Sequence, residues 1–109
     1  MGTESIQVVV VMVTTASQDE AVKIADQVVQ SRLAACASTF PTVRSTYWWE
    51  GKLMNDQETL VLIKTTSDTF NSLEETIQKI HSYKMPEIIA IPVCQGFPPY
   101  LEWVRRETS

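Results

Sequence analysis

Glycine, cysteine and histidine are scarce in this 109-residue chain, which holds three Gly, two Cys and one His. The glycines stand only at 2, 51 and 96. No P-loop or dinucleotide-binding cradle can be written from them, because both cluster glycines where backbone meets phosphate. Two Cys and one His cannot furnish the four ligands of a structural zinc site from one chain. A single His also excludes the HExxH helix. Positive charge is short as well, with nine Lys and Arg against thirteen Asp and Glu for a net charge of −4. The only adjacent basic pair is Arg105-Arg106, so no nucleic-acid partner is expected. No apolar run approaches the roughly 18 residues of a membrane span. The start, Met1 to Ser5, carries Glu4 and no basic residue, unlike a signal peptide, and residue 6 is Ile6 where a myristoylation start wants Ser or Thr. A cytoplasmic protein is expected.

What is present suits one domain over 1–109, long enough for a single core. Val8 to Val13 is an unbroken, β-branched run that fits a strand buried on both faces. Ser17-Gln18-Asp19-Glu20 reads as a capping box opening a helix to about Leu33, with Ala21, Ile24, Ala25 and Val28 on one side. From about Ala34 to Trp49 the chain reads as extended, with Pro41 implying an edge or a bulge. Glu50-Gly51 is a hairpin turn, and Lys52 to Thr65 returns. A second helix starts near Thr66-Ser67-Asp68, aligns Phe70, Leu73, Ile77 and Ile80, and stops before Pro86. Ile88 to Cys94 is a fourth strand, placed at an edge by Pro92, and Phe97-Pro98-Pro99 leads into a short aromatic helix. The order βαββαβ plus a terminal helix predicts an α+β, ferredoxin-like sandwich: an antiparallel sheet with two helices on one face.

The hairpin is long for such a domain. Arms of about 14 residues span roughly 45 Å, against a domain diameter of roughly 35 Å. An overhanging ribbon with Val43, Tyr47, Trp48 and Trp49 needs covering, which predicts a homo-oligomer joined by the ribbon. The alternative is that Pro41 and Asn55-Asp56 bend the arms back onto their own chain.

The candidate chemistry is sparse. Cys36 and Cys94, in apolar surroundings, are expected to be buried reduced thiols. His81 closes the second helix, where it complements the dipole or serves as metal ligand or proton carrier, with Glu87, a Cys or a neighbouring chain as co-ligand. Glu58 and Lys64 share a face of the third strand, roughly 20 Å apart, and read first as solvated charges. Lys64-Thr65-Thr66-Ser67 is also a strand-to-helix junction able to hold an anion, with Thr14 to Ser17 a weaker second nest. Tyr47, Trp48, Trp49, Tyr83, Tyr100 and Trp103 suit core or subunit contacts, with one or two free to stack on a ligand. No residue is assigned a catalytic role.

Four motifs in order carry a resemblance: Ser45 to Lys52 (STYWWEGK), Glu58 with Leu62-Ile63-Lys64-Thr65-Thr66, His81 to Ile89 (HSYKMPEII), and Tyr100-Leu101-Glu102-Trp103. With Ala34-Ala35-Cys36-Ala37, the chain from about Val8 to Val104 resembles the CutA family of divalent-cation tolerance proteins. The resemblance implies a homotrimer of ferredoxin-like protomers, tolerance to divalent metals and copper in particular, and no enzymatic reaction. The implied ligand is Cu(II) or another divalent cation rather than a tight structural metal. Of the metal ligands proposed in some members, His81 matches the second of a His pair. The first falls on Ile80, and a Cys at the end of the first strand falls near Val13. The family's His-Pro-Tyr is here His81-Ser82-Tyr83. The resemblance also implies an inter-subunit cleft of Tyr47, Trp49, Glu58, Lys64, His81, Tyr83, Tyr100 and Trp103. An alternative, by analogy with the similar PII trimers, is a signalling module binding a small anionic effector in that cleft.

Overall fold

The computed structural model of the chain describes residues 6–108, so the readings of Met1 to Ser5 lie outside the described residues. The apolar run becomes β1 (Val8–Thr15), whose Val9, Val11, Val13 and Thr15 are at most 4% exposed. α1 (Gln18–Gln30) opens as the capping box predicts: the Ser17 hydroxyl accepts the Glu20 N–H at 3.1 Å. It buries Ala21, Ile24 and Val28 against β1 and joins a core with Val61, Ile63, Leu73 and Ile77. The long arms are β2 (Cys36–Trp49) and β3 (Lys52–Thr66), followed by α2 (Phe70–Ile80), β4 (Ile88–Pro92) and α3 (Pro98–Glu107). The sheet runs β2-β3-β1-β4, every pair antiparallel, with α1 and α2 closing the core on one face. This is the α+β, ferredoxin-like arrangement predicted.

Several boundaries shift. α1 ends at Gln30 rather than near Leu33, because Arg32 takes a left-handed φ of 64° and turns Leu33 back onto the core. The amides of Leu33 and Ala34 then both donate to the Val28 carbonyl, at 3.0 and 3.1 Å. α2 begins at Phe70, since the Thr66 hydroxyl reaches the Asp68 carboxylate at 2.6 Å and the Thr69 hydroxyl at 2.9 Å, a local turn that delays the helix. β4 stops at Pro92. Cys94 therefore leaves the sheet and is exposed, and Cys36 is only half-buried, so the expectation of two buried thiols is corrected. Pro41 sits on edge strand β2 at a register shift between Phe40 and Val43, as its missing N–H demands.

The ribbon projects. Pairing of β3 with β1 ends at Thr15–Thr59, so Val43–Trp49 and Lys52–Glu58 pair only with each other. That leaves about 23 Å of two-stranded ribbon beyond the sheet at about 3.3 Å per residue. The molecule measures 49 × 25 × 22 Å, which excludes arms bent back onto their own chain. Positive φ at both Glu50 (51°) and Gly51 (80°) forms the tight turn that suits the twist of such a ribbon.

Candidate functional site

The sheet face away from α1 and α2 carries the site. Strand alternation sends Met12, Leu60, Leu62, Ile89 and Ile91 to that face, and Phe40 shares it at 47% exposed. One end of this apolar band is acidic and aromatic. The other is basic, and there α3 packs on β1 and β3.

At the acidic end the ribbon and the segment after α2 line a half-open cavity of about 640 Å³. Tyr47, Trp49, Met54 and Glu58 come from the ribbon, Tyr83, Lys84, Met85 and Glu87 from the segment, with Thr14, Ser45 and Thr46 completing the wall. Glu58 is only 8% exposed, which corrects its reading as a solvated charge. The Tyr83 hydroxyl donates to Glu58 Oε2 at 2.6 Å, and the Tyr47 hydroxyl donates to Asp56. Burial first, then the bond and charge of Glu58, raise the Tyr83 phenol well above its ordinary value. Partial burial and the charge of Glu58 likewise raise the Glu87 carboxyl.

His81 places this segment. Its side chain is fully buried, with Nε2 2.8 Å from the Thr14 carbonyl and Nδ1 accepting the Tyr83 N–H at 3.0 Å. A carbonyl only accepts and an amide only donates, so the ring is the neutral tautomer with its hydrogen on Nε2. Glu20 pins the same turn: its Oε2 accepts the Ser82 N–H at 2.7 Å and its Oε1 the Ser82 hydroxyl at 3.0 Å. His81 and Tyr83 stack obliquely with ring centroids 4.8 Å apart.

A divalent metal does not fit this set within one protomer. Both His81 nitrogens are engaged, and among the described residues no three His, Cys, Asp or Glu side chains converge.

At the opposite end Lys64 Nζ lies 2.7 Å from Ser38 Oγ and 3.7 Å from Cys36 Sγ. Tyr100 and Trp103 pack with ring centroids 5.5 Å apart. Burial, then the neighbouring Cys36, raises the Tyr100 phenol. Neither predicted anion nest forms. Lys64 faces away from α2, the Ser67 amide donates to the Gln7 carbonyl at 2.9 Å, and the Ala16 amide already holds Glu20 at 3.2 Å.

Of the eight predicted cleft residues, one chain gathers Tyr47, Trp49, Glu58, His81 and Tyr83 at one end and Lys64, Tyr100 and Trp103 at the other. Glu20, Met54, Asp56 and Met85 were not anticipated. The shared parity of Met54, Asp56 and Glu58 on β3 was the available signal.

Residues 9–107 match the family model described as CutA1 divalent ion tolerance protein. The chain belongs to the CutA family. It is 42% identical over 100 residues to the divalent-cation tolerance protein CutA of Thermus thermophilus, covering 92% of this chain and 97% of that one. It is 44% identical over 97 residues to mouse protein CutA, covering 89% of this chain but 55% of the mouse protein. The solved Thermus CutA1 superposes with a TM-score of 0.92 at 41% identity, covering 94% of this chain and 99% of that chain. CutA1 of Oryza sativa gives 0.92 at 36% identity, covering 95% of each chain. The names of CutA relatives differ in compartment, chloroplastic in Arabidopsis thaliana and periplasmic in Archaeoglobus fulgidus. Among the described residues of this CutA chain, no helix is long and apolar enough to cross a membrane.

Proposed function

We propose that this CutA chain acts in tolerance to divalent cations, copper foremost, as a cytoplasmic homotrimer of single 1–109 domains with no catalytic step of its own. Family membership supports the tolerance role. The observation that carries the assembly is the bare ribbon and sheet face. Trp48 is 72% exposed and Leu53 57% on the ribbon, and Ile89 and Ile91 are about half exposed on the face. Register puts Trp48 and Leu53 on one face of the ribbon and Ile89 and Ile91 on the opposite face of the sheet, and a second copy of the chain is the natural cover for both patches.

A head-to-tail ring also explains the divided cleft. Glu58 and Lys64 are six residues apart on one strand, roughly 20 Å at about 3.3 Å per residue, too far to share a ligand within a protomer. A neighbour's Lys64, Tyr100 and Trp103 can instead face this protomer's Tyr47, Trp49, Glu58, His81 and Tyr83. The anionic-effector alternative has less support, because Lys64 is held by Ser38 at 2.7 Å and the end with the cavity is acidic.

Light scattering tests the assembly: a mass near three times the 12.3 kDa chain is expected, and a monomer at micromolar concentration overturns it. Titration with Cu(II) tests the metal. A direct role for His81 requires its ring to release Thr14 or the Tyr83 amide. His81→Gln, which keeps a hydrogen-bonding side chain, then abolishes binding if the ring is a ligand and leaves it unchanged if His81 only positions Tyr83.

A further inference from the structure

The cavity between the ribbon and the segment after α2 has a chemistry that neither copper nor an anion uses. Its volume, about 640 Å³, lies within the usual range for small-molecule sites. Its walls present the rings of Tyr47, Trp49 and Tyr83 beside the carboxylates of Glu58 and Glu87. Glu58 lines this cavity at 8% exposed, and among the described residues its one side-chain hydrogen bond is the Tyr83 hydroxyl on Oε2, so Oε1 makes no protein hydrogen bond. A largely buried carboxylate with one oxygen free of protein donors is stabilised by a nearby cation.

We propose that this chamber binds an organic ammonium cation, held by the faces of Tyr47, Trp49 and Tyr83 and by the carboxylates of Glu58 and Glu87. The proposal deepens the cleft described above and rests on that reading only in treating this end of the face as a binding site. Aromatic faces attract weakly hydrated ammonium groups through the ring quadrupole. A hard divalent ion instead wants six or more oxygens, which two carboxylates and a phenol do not supply. An anion meets Glu58 and Glu87, and Asp56 lies behind the Tyr47 hydroxyl on the same ribbon face. Among the described residues of one protomer Lys84 is the one cation in the wall, and its exposed position gives the proposal a sign to test.

The intact protein, free of added metal, is titrated with choline and with putrescine, and the indole N–H signals are followed by NMR. Saturable binding at about millimolar Kd is expected, moving the Trp49 signal and leaving Trp48 unmoved. Trp49→Ala weakens it by about tenfold or more and Glu87→Gln by about fivefold, while Lys84→Ala tightens it by about threefold. Because Glu87 and Lys84 are exposed, those two variants keep the test valid if Trp49→Ala fails to fold. Absence of saturation by about 20 mM of either amine overturns the proposal, as does weaker binding in Lys84→Ala. Tighter binding of inorganic phosphate or of Mg²⁺ than of either amine overturns it too. No step of this measurement depends on copper, so its failure leaves the cation-tolerance reading standing, and a negative copper titration leaves this one standing.

Discussion

Replacing Glu20 with Gln tests how the segment bearing Tyr83 is held. The Glu20 carboxylate is 13% exposed and accepts three hydrogen bonds of 2.7 to 3.2 Å, from the Ser82 amide, the Ser82 hydroxyl and the Ala16 amide. Bonds to a charged acceptor contribute about 1.5–3 kcal/mol each, and Gln keeps one accepting oxygen while turning an NH₂ toward a donor. The expected net loss is about 2 kcal/mol at pH 7. Burial alone raises the carboxyl's pKa, but the bonds from Ser82 and Ala16 outweigh it and hold the group below its ordinary value. A depressed carboxylate contributes its stability above the unfolded value, near 4.3, and loses it as pH falls through the folded value. Urea denaturation of both proteins at one protomer concentration therefore gives a gap of about 2 kcal/mol at pH 7 that narrows as pH falls below the unfolded value of about 4.3. A gap that persists undiminished at low pH, or one below about 0.5 kcal/mol at pH 7, refutes this account of the turn.

Tyr83→Phe removes the one hydroxyl that bonds Glu58 among the described residues and is expected to destabilise by about 1–3 kcal/mol, read by the same denaturation. Ile24→Ala, at a fully buried position of α1, costs about 2–5 kcal/mol. Gly51→Ala meets no atom within 4 Å, so its cost of about 1 kcal/mol comes from the positive φ alone, and Gly51→Asn recovers part of it. Trp48→Lys with Leu53→Lys leaves the protomer's far-ultraviolet circular dichroism intact while light scattering reports a smaller species.

The order of elements was legible because each signal is local: a β-branched run, a capping box, a proline at an edge, an apolar stripe at helical spacing. Arg32 shows where local signals stop. It takes the left-handed turn that ends α1 without the glycine that ordinarily marks one, so the apolar Leu33 read as helix. The site was legible as a set of residues but not as an arrangement. Glu58 looks like a solvated strand charge until Tyr83, 25 residues away in the chain, is brought to it. Lys64 looks like part of the α2 junction until its pairing with Cys36 sends it to the other face. Parity along β3 contained that information, but choosing the core face needed the positions of both helices.

The lone His81 ties these findings together. A chain with one histidine and two separated cysteines has little to offer a transition metal, and the histidine is used instead to bolt the Tyr83 segment to β1 through the Thr14 carbonyl. Under the proposal of an organic cation, the binding falls to oxygen and aromatic groups, of which the ribbon supplies Glu58, Tyr47 and Trp49 and the bolted segment supplies Tyr83 and Glu87. These two elements meet only because the ribbon projects beyond β1 and the segment crosses the end of that strand. The ribbon that leaves apolar side chains exposed is thus also the feature that builds the chamber. Disrupting the ribbon should therefore disturb assembly and ligand together, whereas disturbing Glu20 should loosen the chamber while leaving the assembly surface in place.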